Sequence, residues 1–201
     1  MEKSLKQREQ QRNFDGVSDD EAVRRSFLRT YTGRNVFPLN MYATDIVIED
    51  IAHALSNICR YNGHCSKLYS VGQHSVLMAR YLLEKYRNQK LALSGLLHDG
   101  PEAYIGDMPT PLKRLFPEFV IAEDRIVAVM EARFKLDYPL DCPEIKEADM
   151  RLLATEARDL MGDPQDWSSL SGLEPFKESI ECWAPDLTKF LFLEMYNSLT
   201  N

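Results

Sequence analysis

Long apolar runs are missing from this sequence. No stretch approaches the roughly 20 consecutive apolar residues of a membrane-spanning helix, so a membrane partner is not expected. Residues 1–13 are mainly Lys, Arg, Gln and Glu with no apolar h-region, which argues against a secretory signal. Cysteine is sparse. Cys59, Cys65, Cys142 and Cys182 form neither a CxxC pair nor a zinc-ribbon spacing. Scattered thiols without a secretory leader fit a reducing, cytoplasmic compartment. A long basic run is also absent, and the net charge is −7. Nucleic acid is therefore not the expected partner, because a phosphate backbone calls for a basic footprint. A small anionic substrate stays open, since a few local cations can hold one. There is no internal repeat and no low-complexity tract.

What is present suits one globular domain. The 201 residues are 44% apolar and 27% charged, enough for a real core. Residues 1–16 read as a solvated arm and residues 17–201 as a single domain. Ser18 three residues before Glu21 is a capping-box pattern, predicting a helix to about Tyr31. Residues 32–48 read as an extended loop with a short strand at 45–48. Ile51, Ala54, Leu55 and Ile58 recur at helical spacing, predicting a helix over 49–60. After a loop at 61–71, helices are predicted over 72–86 and 90–98, the second apolar nearly all round and hence buried. Gly100-Pro101 breaks it, and residues 107–111 form a rigid turn. Helices over 119–134 and 142–161 follow, then an irregular connection over 161–185. Leu187, Phe190, Leu191 and Met195 place a last helix against the core. Convincing strands are scarce, and the class is all-α.

Histidine is rare as well, with His53, His64, His74 and His98 the full set. His53, between Ala52 and Ala54, reads as structural, and Trp167 and Trp183 as packing residues. His98 and Asp99 close a buried apolar helix. A lone carboxylate there costs several kcal/mol unless it is paired or bound to metal. Asp149 shares a helix face with Ile145, Leu152 and Leu153, an unexpected place for a carboxylate. His74 lies in the first turn of a helix whose apolar face turns it inward. Two imidazoles and two carboxylates thus converge as a mixed N/O set, which suits one divalent transition metal: Mn, Co, Zn, Fe or Ni, with Mg compatible. Taken singly, each of these residues reads as a satisfied core histidine or a buried ion pair; the combination favours ligands.

Gly72-Gln73-His74-Ser75, Leu96-Leu97-His98-Asp99 and Glu147-Ala148-Asp149 resemble the H…HD…D signature of the HD-domain superfamily of metal phosphohydrolases. The stretch from His98 to Lys113 carries Glu102, Gly106-Asp107 and Pro109-Thr110-Pro111 in place. It is similar to the HD-x-x-E…G-D-x-P-[ST]-P-x-K segment of the bacterial 5′-deoxynucleotidase branch, much of which phage dATP triphosphohydrolases share. Tyr69-Ser70-Val71 before Gly72 extends the likeness, which covers roughly residues 49–160.

The resemblance implies a compact all-α HD-domain helical bundle with one metal on His74, His98, Asp99 and Asp149. It implies that Glu102 positions or activates water; the alternative is a helix N-terminal acid held by the macrodipole. Asp107 matches a position that contacts the sugar, or else serves the turn. Lys113 matches a phosphate-binding lysine, or is a solvated one. Arg60-Tyr61 is the nearest counterpart of an Arg-Trp pair that binds phosphate and stacks on the base, one residue out of register. His64, in the following loop, could donate to a phosphoryl oxygen. The implied activity is hydrolysis of deoxynucleotide phosphates, a dNMP losing phosphate. A dNTP losing triphosphate is an alternative, as is a non-catalytic nucleotide or metal sensor. The expected partner is a small nucleotide, and a homo-oligomer, a dimer or larger, is compatible with it.

Overall fold

The computed structural model describes residues 27–162 and 174–201, which form an all-α fold carrying one small hairpin. The expected arm at 1–16, the Ser18–Glu21 cap and Trp167 lie outside these residues. β1 (Leu28–Arg29) pairs antiparallel with β2 (Asn35–Val36), Leu28 opposite Val36. Helices follow in order: α1 (Ile48–Asn57), α2 (Val71–Tyr86), α3 (Gln89–Leu97), α4 (Glu102–Ile105), α5 (Thr110–Lys113), α6 (Pro117–Phe134), α7 (Pro143–Leu160) and α8 (Pro185–Thr200).

The centre of the fold is α2, against which α1, α3, α7 and α8 all pack. Its start is set locally: Ser70 Oγ accepts from the Gln73 N–H at 3.1 Å, an N-cap that satisfies an otherwise orphaned donor. Asn88 does the same for α3, accepting from the Lys90 and Leu91 N–H groups. Pro117, Pro143 and Pro185 each occupy the first turn of a helix, where a fixed φ is already helical and no N–H is lost. The core joins Ile51 and Leu55 of α1, Val76, Met78 and Leu82 of α2, Leu91, Leu96 and Leu97 of α3, Ile126 and Met130 of α6, Ile145 and Leu152 of α7, and Phe192 of α8.

Two glycines permit the close approaches that place the site. A Cβ on Gly72 would lie 3.0 Å from Ser56 N and 3.1 Å from Leu55 C, so the start of α2 presses on the α1 backbone. A Cβ on Gly95 would lie 2.3 Å from Leu82 Cδ1, so α3 lies directly on α2. These contacts bring the first turn of α2 beside the last turn of α3.

Three sequence expectations are corrected. Residues 28–29 form a strand and Tyr31 lies in the hairpin turn, not in a helix, because Thr32 donates from its N–H and Oγ to the buried Asp50 carboxylate at 2.7 and 2.9 Å. Residues 45–48 contain no strand. Ala43–Asp45 is a 3-10 turn, and Ile46 O accepts from Arg133 Nε of α6 rather than from another strand. Leu187 and Phe190 of α8 are exposed; Leu191 and Met195 pack against the core as expected, and the helix fully buries Thr188, Phe192 and Leu199.

Candidate metal centre

Three separate elements bring polar side chains to one point. His74 sits in the first turn of α2, His98 and Asp99 directly follow α3, and Asp149 lies midway along α7. His74 Nε2 is 3.2 Å from His98 Nε2 and 3.2 Å from Asp149 Oδ1. Asp99 Oδ2 is 3.1 Å from His98 Nε2 and 3.8 Å from His74 Nε2. His74, His98 and Asp99 each offer a ligand atom, and all three atoms lie within 4.8 Å of one another. Asp149 stands at the rim, its side chain 42% exposed against 19% for Asp99.

The donor set fits a divalent cation on three counts. First, each imidazole has its far nitrogen engaged: His74 Nδ1 with Glu156 Oε1 at 2.6 Å, and His98 Nδ1 with the Gly95 carbonyl at 2.7 Å. Both acceptors hold a proton on Nδ1, which leaves Nε2 of each ring, facing the other, as the nitrogen that can give up its proton to an ion. Second, two atoms each ~2.1 Å from one ion at tetrahedral to octahedral angles are ~3.0–3.4 Å apart, the range of the closest donor pairs here. Third, the charges do not balance. Asp99, Asp149 and Glu156 are held ionised against Arg60 and a His74 lifted to about 9, which leaves one negative charge, and a divalent ion that takes the place of the His74 Nε2 proton balances it.

Each shift has a physical cause. Burial opposes ionisation of Asp99, but His98, His74 and Arg60 together hold its carboxyl well below the usual range. Burial likewise opposes Asp149, and the hydrogen bond with His74 outweighs it. Burial works against Glu156 too, yet Arg60 and His74 bring it to about 2. For His74, burial and the Arg60 charge disfavour the imidazolium, while Glu156 and the bond to Asp149 prevail and lift it to about 9.

Around this cluster the structure places the remaining candidates. Glu102 opens α4 and is 6% exposed, and its Oε2 is buried with no hydrogen-bond partner among the described residues. Burial, then Asp99 and Asp107, push its pKa well above the carboxylate norm. Asp107 is half-buried, and burial raises it as well. Lys113 Nζ donates to Glu123 Oε1 at 2.6 Å, while its charge still acts on Glu102 and Asp107. Arg60 lies between two carboxylates: Nη1 donates to Asp99 Oδ2 at 3.2 Å, and Nε is 3.3 Å from Glu156 Oε2 as an ion pair without hydrogen-bond alignment. Tyr61, in a left-handed backbone conformation at φ 55°, donates its hydroxyl to Glu156 Oε2. His64 is exposed at the end of the same turn and makes no side-chain hydrogen bond or ion pair to the cluster.

Sequence reasoning missed Glu156 and the role of Tyr69, whose hydroxyl donates to Glu156 Oε1 at 2.9 Å. A signal existed. Glu156 lies seven residues after Asp149, two helical turns on the face that also carries Leu152. Cys59, Cys65, Cys142 and Cys182 are free thiols. No described helix is long and apolar enough to cross a membrane.

No protein-family model matches the chain. It is 40% identical over 178 residues to the uncharacterized protein YfdR of Escherichia coli, which covers 87% of this chain and 96% of that protein. It is 35% identical over 148 residues to an uncharacterized protein of Rhodobacter capsulatus, covering 70% of this chain and 76% of that one.

Proposed function

The chain belongs to the family of the Escherichia coli protein YfdR, and for this member we propose metal-dependent hydrolysis of deoxynucleoside monophosphates with release of phosphate. The observation that carries the reading is the pair of imidazoles facing each other through Nε2 beside Asp99. His74, His98 and Asp99 would hold one divalent transition metal, with Asp149 completing the set from the rim. An ion there supplies Lewis acidity to a phosphoryl oxygen and lowers the pKa of water.

The chain's own groups do the rest. Glu102 presents a buried carboxyl whose Oε2 has no hydrogen-bond partner among the described residues and whose pKa is raised well above the carboxylate norm. Such a group can orient a water molecule through Oε2 and hold or pass on a proton there, work that is most effective when the pKa lies near the working pH. Arg60 offsets negative charge next to Asp99, where a phosphoryl group would sit, and charge stabilisation dominates phosphoryl transfer. Asp107 can accept a hydrogen bond from a sugar hydroxyl.

A monophosphate is favoured over a triphosphate by the supply of cations. Among the described residues, Arg60 and Lys113 are the ones whose charge acts on both Glu102 and Asp107, and each already faces a carboxylate. A polyphosphate tail asks for more positive charge than this.

The test is a panel of dNMPs and dNTPs incubated with Mn-, Co- and Zn-loaded protein, the products read by phosphorus NMR. Inorganic phosphate from dNMPs is the expected result. Triphosphate released from dNTPs would move the assignment to a triphosphohydrolase, and tight binding without turnover would make the protein a sensor.

A further inference from the structure

Glu156 is the most completely enclosed acidic group among the described residues, with a side-chain exposure of 0%. Three hydrogen-bond donors and one ion-pair partner surround it. Oε1 faces His74 Nδ1 at 2.6 Å and the Tyr69 hydroxyl at 2.9 Å; Oε2 faces the Tyr61 hydroxyl and Arg60 Nε at 3.3 Å. A carboxylate has about four lone-pair sites; three of them accept hydrogen bonds here and the Arg60 charge lies beside the fourth, so its plane is fixed. Burial pushes the pKa of both phenols up, and Glu156 beside them adds to it, so both hydroxyls remain donors. Stability alone does not account for a charge in this position. Well-packed apolar residues usually replace a buried ion pair at no cost, sometimes with a gain.

We propose that Glu156 is a positioning residue for the metal centre. It keeps a proton on His74 Nδ1, so that Nε2 is the nitrogen left to bind a metal, and it ties the turn bearing Arg60 and Tyr61 to that same imidazole. The inference rests on the metal-centre reading above and extends it to a residue that no part of the H…HD…D pattern covers. The carboxylate joins α7 to α2 and to the Arg60–Gly63 turn, so one group sets the ligand orientation and the place of the nearest cation together.

A glutamine at this position discriminates well. Its amide has one oxygen and one NH2, so either the His74 and Tyr69 side or the Arg60 and Tyr61 side must face a donor. Arg60 can only donate, whereas an imidazole can change tautomer. The amide oxygen therefore turns to Arg60, and its NH2 meets His74 Nδ1. The imidazole proton moves to Nε2, which blocks the lone pair a metal needs.

The experiment measures Zn2+ affinity by calorimetry with a competing chelator for the wild type, Glu156→Gln and Glu156→Asp. Long-range 1H–15N spectra of His74 and the thermal midpoint of each metal-free protein are recorded alongside. Glu156→Gln is expected to bind Zn2+ about 10–100-fold more weakly, the usual loss on removing such a supporting partner. Its metal-free His74 carries the proton on Nε2, while the Zn2+-loaded wild type carries it on Nδ1. Glu156→Asp restores an acceptor-only group at shorter reach and recovers part of the affinity.

Glutamine affinity within threefold of wild type overturns the proposal. So does an aspartate variant no better than the glutamine one, or a Zn2+-loaded wild type lacking the Nδ1 proton. If Glu156→Gln does not fold, the aspartate variant and the wild-type spectrum decide. Failure of the parent reading looks different: the wild type then binds no Zn2+, or binds it in the predicted order of variants without hydrolysing any dNMP.

Discussion

Replacing Arg60 with methionine separates two roles that a buried arginine beside a metal site can play. Its guanidinium lies 3.2 Å from Asp99 Oδ2 and 3.3 Å from Glu156 Oε2, with 13% of the side chain exposed. At an effective dielectric of about 20, each of these pairs is worth about 5 kcal/mol before desolvation. Desolvation of the guanidinium cancels much of that, and removing one partner of a buried pair typically costs about 3–5 kcal/mol. Arg60→Met should therefore lower the unfolding free energy of the metal-free protein in urea by about 3 kcal/mol or more.

Metal binding should move the other way. Without Arg60, Asp99 and Asp149 face the ion, with Glu156 behind His74, and no competing cation remains beside them, so the dissociation constant for Mn2+ should stay level or fall. Saturating metal should then return part of the lost stability through binding to the folded state. Hydrolysis of dNMPs should nevertheless drop by about 10²–10³-fold, the usual loss of one donor that stabilises developing charge. The assay is a urea titration with and without Mn2+, a Mn2+ binding isotherm and phosphate release. Metal binding weakened tenfold or more would refute the reasoning. Arg60 would then be holding Asp99 in place rather than competing with the ion.

Three further outcomes follow from the same geometry. Asp99→Asn should weaken metal binding by at least ~100-fold and Asp149→Asn by less, because Asp99 faces both imidazoles from the interior while Asp149 stands half-exposed at the rim; a Co2+ titration ranks them. Glu102→Gln should abolish hydrolysis yet stabilise the metal-free protein in a pH-dependent way. A carboxyl whose folded pKa is raised contributes stability in acid that is lost as pH rises above the ordinary value of 4.5, so the variant's advantage in urea midpoint should be near zero at pH 4.5 and grow toward pH 8. Gly72→Ala should cost about 1–3 kcal/mol, since its Cβ would meet α1 backbone that cannot swing aside, and the thermal midpoint should fall by several degrees.

Much of the fold was legible because its signals are local. The periodicity that marked residues 72–86 and 90–98 corresponds to α2 and α3, and the apolar run before His98 is the buried helix it suggested. The hairpin at 28–36 was not legible, because its stabilising contact, Thr32 to Asp50, spans 18 residues. The last helix was placed correctly but its inner face only in part, since Leu191 and Met195 pack against the core while Leu187 and Phe190 do not. Leu187 and Phe190 are as apolar as Phe192, and only docking against α1, α2 and α3 selects the face. Within the site, the histidines and aspartates stood out because polar groups on apolar faces are costly and rare. Glu156 did not, since α7 also carries Glu144 and Glu147, and a glutamate on a charged helix reads as solvated.

The sequence by itself determined where α1, α2, α3, α6 and α7 begin, to within about two residues, and which side chains were candidates to bind an ion, because caps, prolines and apolar spacing act within a few residues. Tertiary structure alone decided that His74 and His98 face each other through Nε2, and that the hydroxyls of Tyr61 and Tyr69 close on a carboxylate 95 and 87 residues away. Those outcomes depend on how α2, α3 and α7 pack. The orientation of an imidazole and the charge of a buried acid are set by partners that the chain brings together only once its core has formed.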